Sequence, residues 1–385
     1  MEAIIPRFLK IPNNSFFLFG PRGTGKTTWL NNEIKNSLLV DLLQPDQFRM
    51  FNAKPERLKE LAYGNPDKKV IIIDEVQKAP ELLNVVHSLI EEKKGYQFVL
   101  TGSSARKLKR SGVGLLAGRA LNMTLHPFIA TELEGKFDFE KALKQGLVPL
   151  IIMSNDPEKV LNSYTALYVR EEVQMEGLVR NIGGFSRFLE VVSFSHSSVL
   201  NISNVSRECE IERKVVESYI SILEDLLLAY RIQVFTKRSM RATIHHPKFY
   251  YFDAGVFRSL RPKGALDRPE EIDGAALEGL IAQHLVAWNA YSGGQNNIYY
   301  WRTRSGTEVD LIVYGPEVFW AIEVKNTARI RNEDLRALRS FKEEYPEAEL
   351  YFLYRGNEKV LIKDILCIPC VEFLNKLKPG HKEIA

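Results

Sequence analysis

The sequence predicts an α/β fold, in which a parallel sheet with helices on both faces leads into helical and mixed segments. Three observations carry that expectation. Short apolar runs at residues 16–19, 38–40, 70–73, 98–100 and 121–125 alternate with helical stretches, the pattern of strands buried on both faces. A glycine-rich turn follows the first run, and a pair of carboxylates ends the third. A second alternation, of helix, three strands, helix and strand, fills the C-terminal part.

The turn reads Gly20-Pro21-Arg22-Gly23-Thr24-Gly25-Lys26-Thr27, with Thr28 next. It meets G-x-x-x-x-G-K-[ST] at every fixed position, where a strand should give way to a helix. Its glycines let main-chain N–H groups face phosphate oxygens. Lys26 would reach the β- and γ-phosphates of ATP, and the Thr27 hydroxyl would ligate Mg²⁺.

The third run, Val70-Ile71-Ile72-Ile73-Asp74-Glu75, delivers two acids at a strand end, where doubly wound sheets bind ligands. Asp74 would hold the Mg²⁺, and Glu75 would position or deprotonate the attacking water. The fourth run ends in Thr101-Gly102-Ser103-Ser104, so Thr101 or Ser103 would sense the γ-phosphate. Arg106, Arg110 and Arg119 are candidates for a guanidinium acting on a neighbouring copy's γ-phosphate, Arg119 foremost.

Gly-Pro-Arg-Gly-x-Gly-Lys-Thr at 20–27, Asp74-Glu75-Val76-Gln77-Lys78 and Leu116-Ala117-Gly118-Arg119 together resemble a widespread prokaryotic family of AAA+ ATPases. Members carry a C-terminal region of unknown function. The resemblance spans most of the chain and is most specific in its first half. It implies an AAA+ core, ATP hydrolysis and homo-oligomers.

Composition sets broad limits. In 385 residues, 52 Lys and Arg against 48 Asp and Glu leave a net charge of +4, compatible with a nucleic-acid partner without requiring one. Three cysteines exclude a disulfide framework and suit a reducing cytoplasm. Cys367 and Cys370 form one C-x-x-C with no second pair, so they read as buried thiols rather than a zinc site. The N-terminus lacks a signal-peptide core, and no apolar run reaches bilayer length. The expectation is a soluble cytoplasmic protein without a membrane partner.

Between the two alternations the pattern is helical, with Leu161, Tyr164 and Leu167 at helical spacing. Residues 205–209 and 212–224 read as two helices, with Asn201-Ile202-Ser203-Asn204 as a capping segment before the first. A basic stretch, residues 237–248, follows without an acid. This is the pattern of a winged helix-turn-helix whose wing either sits against DNA phosphates or is the solvated hairpin of a packing module.

In the C-terminal part, Glu278 lies on an apolar-periodic helix, residues 277–288. Strands follow at 297–302, 307–313 and 318–325, then a helix at 332–344 and a strand at 350–354. Alternation puts Glu323 and Lys325 on one side of their strand, and a hairpin about the Tyr-Gly-Pro turn would bring Asp310 near Glu323. Glu278, Asp310 and Glu323 could then hold Mg²⁺ or Mn²⁺, with Lys325 orienting water. The spacing Asp-x(12)-Glu-x-Lys in this order resembles PD-(D/E)xK nucleases, including archaeal Holliday-junction resolvases. It implies a restriction-endonuclease-like fold and metal-dependent cleavage of branched or structured DNA. A charged hairpin with no catalytic role, in a module serving a nucleotide-dependent switch, is the alternative.

The expected domains are a P-loop AAA+ core at 1–125, a helical subdomain at 126–185, a winged helix at 186–255 and the nuclease-like domain at 256–385.

Overall fold

A computed structural model describes residues 4–102, 116, 118–168, 181–236, 246–265 and 267–382. Ser103, Ser104, Arg106, Arg110, Ala117 and most of the basic stretch, residues 237–245, lie outside the described residues. The chain divides into two compact units: Leu9–His126 with Asp225–Leu227, and Met1–Phe8 with Pro127–Glu224 and Leu228–Ala385.

In the unit built on Leu9–His126, each apolar run becomes a strand: β1 (Ser15–Phe19), β2 (Ser37–Asp41), β3 (Val70–Asp74), β4 (Gln97–Gly102) and β5 (Ala120–Thr124). Between them lie α1 (Lys26–Glu33), α2 (Pro45–Ala53), α3 (Arg57–Gly64) and α4 (Leu82–Glu91). Among the described residues the strands form one sheet in the order β2-β3-β4-β1-β5, and every neighbouring pair is parallel. All five residues of β1 are buried, which explains why its sequence is continuously apolar rather than alternating. Phe17, Ile71, Ile73, Phe98 and Leu100 share a core with Phe51 of α2, Leu58 of α3 and Leu83, Val86 and Leu89 of α4. Each such side chain contributes about 2 kcal/mol by leaving water. Because β4 lies between β3 and β1, the segments after β1 and β3 emerge at one edge, with the end of β4 between them.

The other unit opens with α5 (Ala130–Leu133), α6 (Phe139–Gln145), α7 (Pro149–Ile152) and α8 (Pro157–Ser163), helical as the pattern at 126–185 predicts. Then come α9 (Ile182–Ser193), β6 (Ser198–Val199), α10 (Ile202–Cys209) and α11 (Arg213–Asp225). The side chain of Asn201 caps α10 by accepting from Asn204 N, the role its sequence context suggests. Strands β7 (Ala229–Val234) and β8 (Lys248–Tyr251) pair antiparallel and flank the basic stretch.

After α12 (Ala254–Leu260) and the 23-residue α13 (Pro269–Tyr291) come β9 (Asn297–Arg302), β10 (Glu308–Tyr314) and β11 (Phe319–Lys325). The chain continues through α14 (Arg336–Glu344), β12 (Glu349–Tyr354), β13 (Val360–Ile362), β14 (Ile365–Pro369) and α15 (Cys370–Lys376). Among the described residues this unit's sheet runs β13-β14-β12-β11-β10-β9-β7-β8-β6. The hairpin β10–β11 is antiparallel, whereas β11–β12 and β12–β14 are parallel. Trp288 of α13 packs on Trp320, while Phe341 of α14 packs on the neighbouring Phe319. Successive strand residues face opposite sides, so the two helices cover opposite faces of β11. Among the described residues no helix is long and apolar enough to cross a membrane.

Cys367 lies in the middle of β14 and Cys370 opens α15; both are buried and form no disulfide. Burial pushes their thiols up to about 11 and about 12, leaving little thiolate for redox or metal chemistry.

Candidate functional site

The glycine-rich turn leaves the end of β1 and closes on the first residue of α1. Gly25 caps α1 with φ 86°, a left-handed conformation in which a Cβ is strained. At Gly20 the constraint is space: a Cβ would stand 2.5 Å from the Leu125 carbonyl oxygen and 3.1 Å from Thr24 Oγ1. Gly20→Ala should therefore displace the loop and weaken ATP binding at least tenfold, measured by titration of a fluorescent ATP analogue. Unchanged affinity would show that the loop yields freely.

Lys26 is buried, and its Nζ donates to the carbonyls of Gly20 at 2.7 Å and Pro21 at 3.3 Å. The ammonium is thus held inside the loop, at the focus of its curl. Thr24 Oγ1 donates to the Pro21 carbonyl at 2.8 Å and braces the same turn. Arg22 and Thr28 lie exposed beside it, and Gly23 has φ 84°. Thr27 Oγ1 donates to Asp74 Oδ2 at 2.9 Å, joining the loop to the tip of β3. A hydroxyl and a carboxylate at this separation are the protein ligands Mg²⁺ takes alongside phosphate, so the residues fit the metal.

Thr101, fully buried in β4, donates to the other Asp74 oxygen and accepts from Glu75 N at 3.1 Å. One hydroxyl therefore fixes both acids. Glu75 has φ 58°, a conformation costing a non-glycine residue about 1–3 kcal/mol and concentrated at functional sites. The Gln77 amide donates to Glu75 Oε2. Gln77 belongs to the Asp74-Glu75-Val76-Gln77-Lys78 motif, where its type and position gave it no role of its own.

Arg119 precedes β5 and pairs with Glu91 of α4. In the register that sets Ser15 against Ala120, Arg119 lies at the start of the strands and Gly20 beyond their end. That is roughly 15 Å along the sheet, so the fold does not bring Arg119 to its own loop.

Residues 12–134 match a family model described as an AAA domain. This segment resembles a P-loop AAA-type domain. The AAA-type domain is followed by matches to two domains of unknown function, DUF8612 at residues 136–267 and DUF4143 at 273–373. Uncharacterised proteins of Mycobacterium bovis and Mycobacterium tuberculosis are each 22% identical over 312 residues, 79% of this chain and 69% of theirs. Among solved structures, the replication initiator DnaA bound to AMPPCP and single-stranded DNA is 16% identical, with TM-score 0.28 over 55% of this chain and 82% of that one. The Pif1 helicase of Candida albicans is 17% identical, with TM-score 0.23 over 40% of this chain and 44% of that one. Likenesses of that size carry no argument about this chain.

The second candidate cluster lies in the C-terminal sheet. The register that pairs Leu311 with Ile322 sets Asp310 opposite Glu323, one step on. Asp310 Oδ2 accepts from Val324 N at 2.9 Å, and Lys325 Nζ lies 2.6 Å from Glu323 Oε1. Lys248, read in sequence only as part of the basic stretch, enters from β8 with 1% of its side chain exposed. Its Nζ lies 3.0 Å from Glu278 Oε1, 2.7 Å from Glu308 Oε1 and 3.3 Å from Asp310 Oδ1. Tyr250 Oη donates to Glu278 Oε1 at 2.6 Å.

Burial pushes Glu278 up to about 7 and Glu323 up to about 8, and Asp310 adds to both; Lys248 and Lys325 oppose the rise. Lys248 is held well above the ordinary lysine range, because Glu278, Tyr250, Asp310 and Glu308 outweigh the cost of burying it. The fit to a divalent ion is poor. Asp310 and Glu278 already spend oxygens on an ammonium, and among the described residues no group of three or more His, Cys, Asp or Glu side chains is arranged to hold a metal. Glu323 Oε2 is the one carboxylate oxygen recorded there as buried without a hydrogen bond.

Proposed function

We propose that this chain is a Mg²⁺-dependent ATP hydrolase that acts on DNA. The observation that carries the hydrolase reading is the 2.9 Å contact between Thr27 and Asp74 beneath a complete phosphate-binding loop. On arrival of ATP, Lys26 would exchange the Gly20 and Pro21 carbonyls for phosphate oxygens, and the loop N–H groups would donate to the remaining oxygens. Thr27 and Asp74 would hold Mg²⁺, which would supply positive charge against that of the phosphates. Glu75 orients the attacking water, and Thr101 keeps its main chain in position. Arg119, paired with Glu91 in its own chain, would serve the γ-phosphate of a neighbouring copy in a homo-oligomer rather than that of its own loop.

The DNA-directed part rests on residues 186–255. Helices α10 and α11 are joined by a short turn, and β7 and β8 flank a basic stretch, the order of a winged helix whose wing meets phosphates. Residues 256–385 follow as a nuclease-like module, after the ATP module at 1–125 and the helical segment at 126–185. A second reading has one observation in its favour: the ammonium of Lys248 among the nuclease-like carboxylates suits a nucleotide-dependent switch with a scaffold rather than a cutting enzyme.

The test is ATP turnover with and without linear, forked and four-way DNA. Wild type should hydrolyse ATP faster when DNA is present, and Lys26→Ala should weaken ATP binding at least a hundredfold and abolish turnover. Turnover indifferent to every DNA would favour the switch; no ATP binding by wild type would remove both readings.

A further inference from the structure

We infer that Lys248 is the resident cation of the carboxylate cluster formed by Glu278, Glu308 and Asp310, and that it excludes a divalent metal from this part of the C-terminal sheet. The inference concerns a region apart from the phosphate-binding loop and stands whether or not the chain hydrolyses ATP.

Three carboxylates from two segments converge on one nitrogen. Glu278 comes from the middle of α13, Glu308 from the first residue of β10 and Asp310 from two residues further along the same strand. Lys248 is the first residue of β8, with Phe249, Tyr250 and Tyr251 buried after it. Its contacts of 2.7, 3.0 and 3.3 Å use all three donors of an ammonium. The Tyr300 ring lies 5.7 Å from the same nitrogen and adds a weaker attraction.

A buried ammonium needs this many partners, because an unpaired charge out of water is far too costly to keep. The remaining charges nearby are also matched, Arg302 Nη1 lying 3.5 Å from Glu308 Oε2 and Lys325 2.6 Å from Glu323. Mg²⁺ demands about six oxygens in near-octahedral geometry. Entry of such an ion at Asp310 and Glu278 would set two positive charges of its own beside the ammonium. The free oxygen of Glu323 is a single ligand, and its carboxylate partner across the hairpin, Asp310, is already committed to Lys248 and Val324 N. A lysine thus does permanently what a metal does reversibly: it neutralises the acids and ties α13 to the sheet. The consequence is a module that keeps its shape without metal and does not cut.

The experiment uses the full chain without nucleotide and counts bound Mn²⁺ by electron paramagnetic resonance, in wild type, Asp310→Asn and Lys248→Gln. Manganese at Thr27 and Asp74 is common to all three, so differences report the cluster alone. Wild type and Asp310→Asn should bind the same number of ions, and Lys248→Gln should bind one more per chain, with a melting temperature that rises when Mn²⁺ is added. Loss of a bound ion in Asp310→Asn relative to wild type overturns the inference. So does a folded Lys248→Gln that gains none. Where Lys248→Gln does not fold, the comparison of wild type with Asp310→Asn decides alone.

Discussion

Replacing Glu75 by Gln is expected to slow ATP turnover by about 10²- to 10⁴-fold, the span attributed to a positioned general base. ATP affinity should change by less than about threefold, since no phosphate contact runs through this side chain. The geometry separates the two effects. In the proposed reaction, phosphate binding would belong to Lys26 and the loop N–H groups, and metal binding to Thr27 and Asp74, which share a 2.9 Å hydrogen bond. Glu75 stands one residue beyond, with φ 58° and its N–H bonded to Thr101. Glutamine keeps the length, the backbone and a hydrogen bond to Gln77, and loses only the charge and basicity that act on water. A single-turnover assay beside an equilibrium titration would measure both quantities. Turnover within threefold of wild type would show that Glu75 is there to shape the β3 turn and that another group handles the water.

The unequal legibility of the molecule has physical causes. Strands β1, β3 and β4 were readable because the middle of a parallel sheet, covered on both sides, demands unbroken apolar runs, as in Phe16-Phe17-Leu18-Phe19. The hairpin β10–β11 was readable because a tight turn fixes register, so Asp310 and Glu323 meet as expected. Parallel pairing of β12 with β11 and β14 leaves no such local mark, and neither does the joining of β7 to β9.

Lys248 escaped for a different reason. Its partners Glu278, Glu308 and Asp310 lie 30 to 62 residues away, and no local pattern ties a cation to distant acids. A signal was nevertheless present: Lys248 opens the run Phe249-Tyr250-Tyr251-Phe252. A lysine entering a continuous apolar strand must either leave the sheet or find carboxylates. Asp253, at the far end of that run, shares only part of this cause: Leu147 lies 106 residues away, while Gly255 and Val256 are local.

Asp253→Ala should destabilise its unit by about 3–5 kcal/mol, read from urea denaturation. The residue is wholly buried after β8. Oδ1 accepts from Gly255 N at 2.9 Å and Val256 N at 3.1 Å, capping α12, while Oδ2 accepts from Leu147 N at 2.7 Å, beyond α6. Alanine strands three donors in an apolar setting, at about 1–3 kcal/mol each, partly relieved by relaxation. Asparagine retains one acceptor for α12 and turns an amide nitrogen toward Leu147 N, so its loss should be smaller. A loss below 1 kcal/mol for alanine would mean that water satisfies all three N–H groups.

The same carboxyl makes stability depend on pH. Burial pushes Asp253 up to about 6, against the pull of the N–H groups of Leu147, Val256 and Gly255. A raised folded value means that the native state binds the proton more tightly than the unfolded chain. That stabilisation is complete below about pH 4, is lost as pH rises through 6, and is constant above. Wild type should therefore lose on the order of 2 kcal/mol relative to Asp253→Asn between pH 4 and pH 7. Asparagine cannot titrate, so every change in the difference near pH 6 belongs to this one group. A difference that stays level across that interval would show that the three N–H donors hold the carboxylate ionised, and that the charge itself, rather than a shared proton, caps the helix.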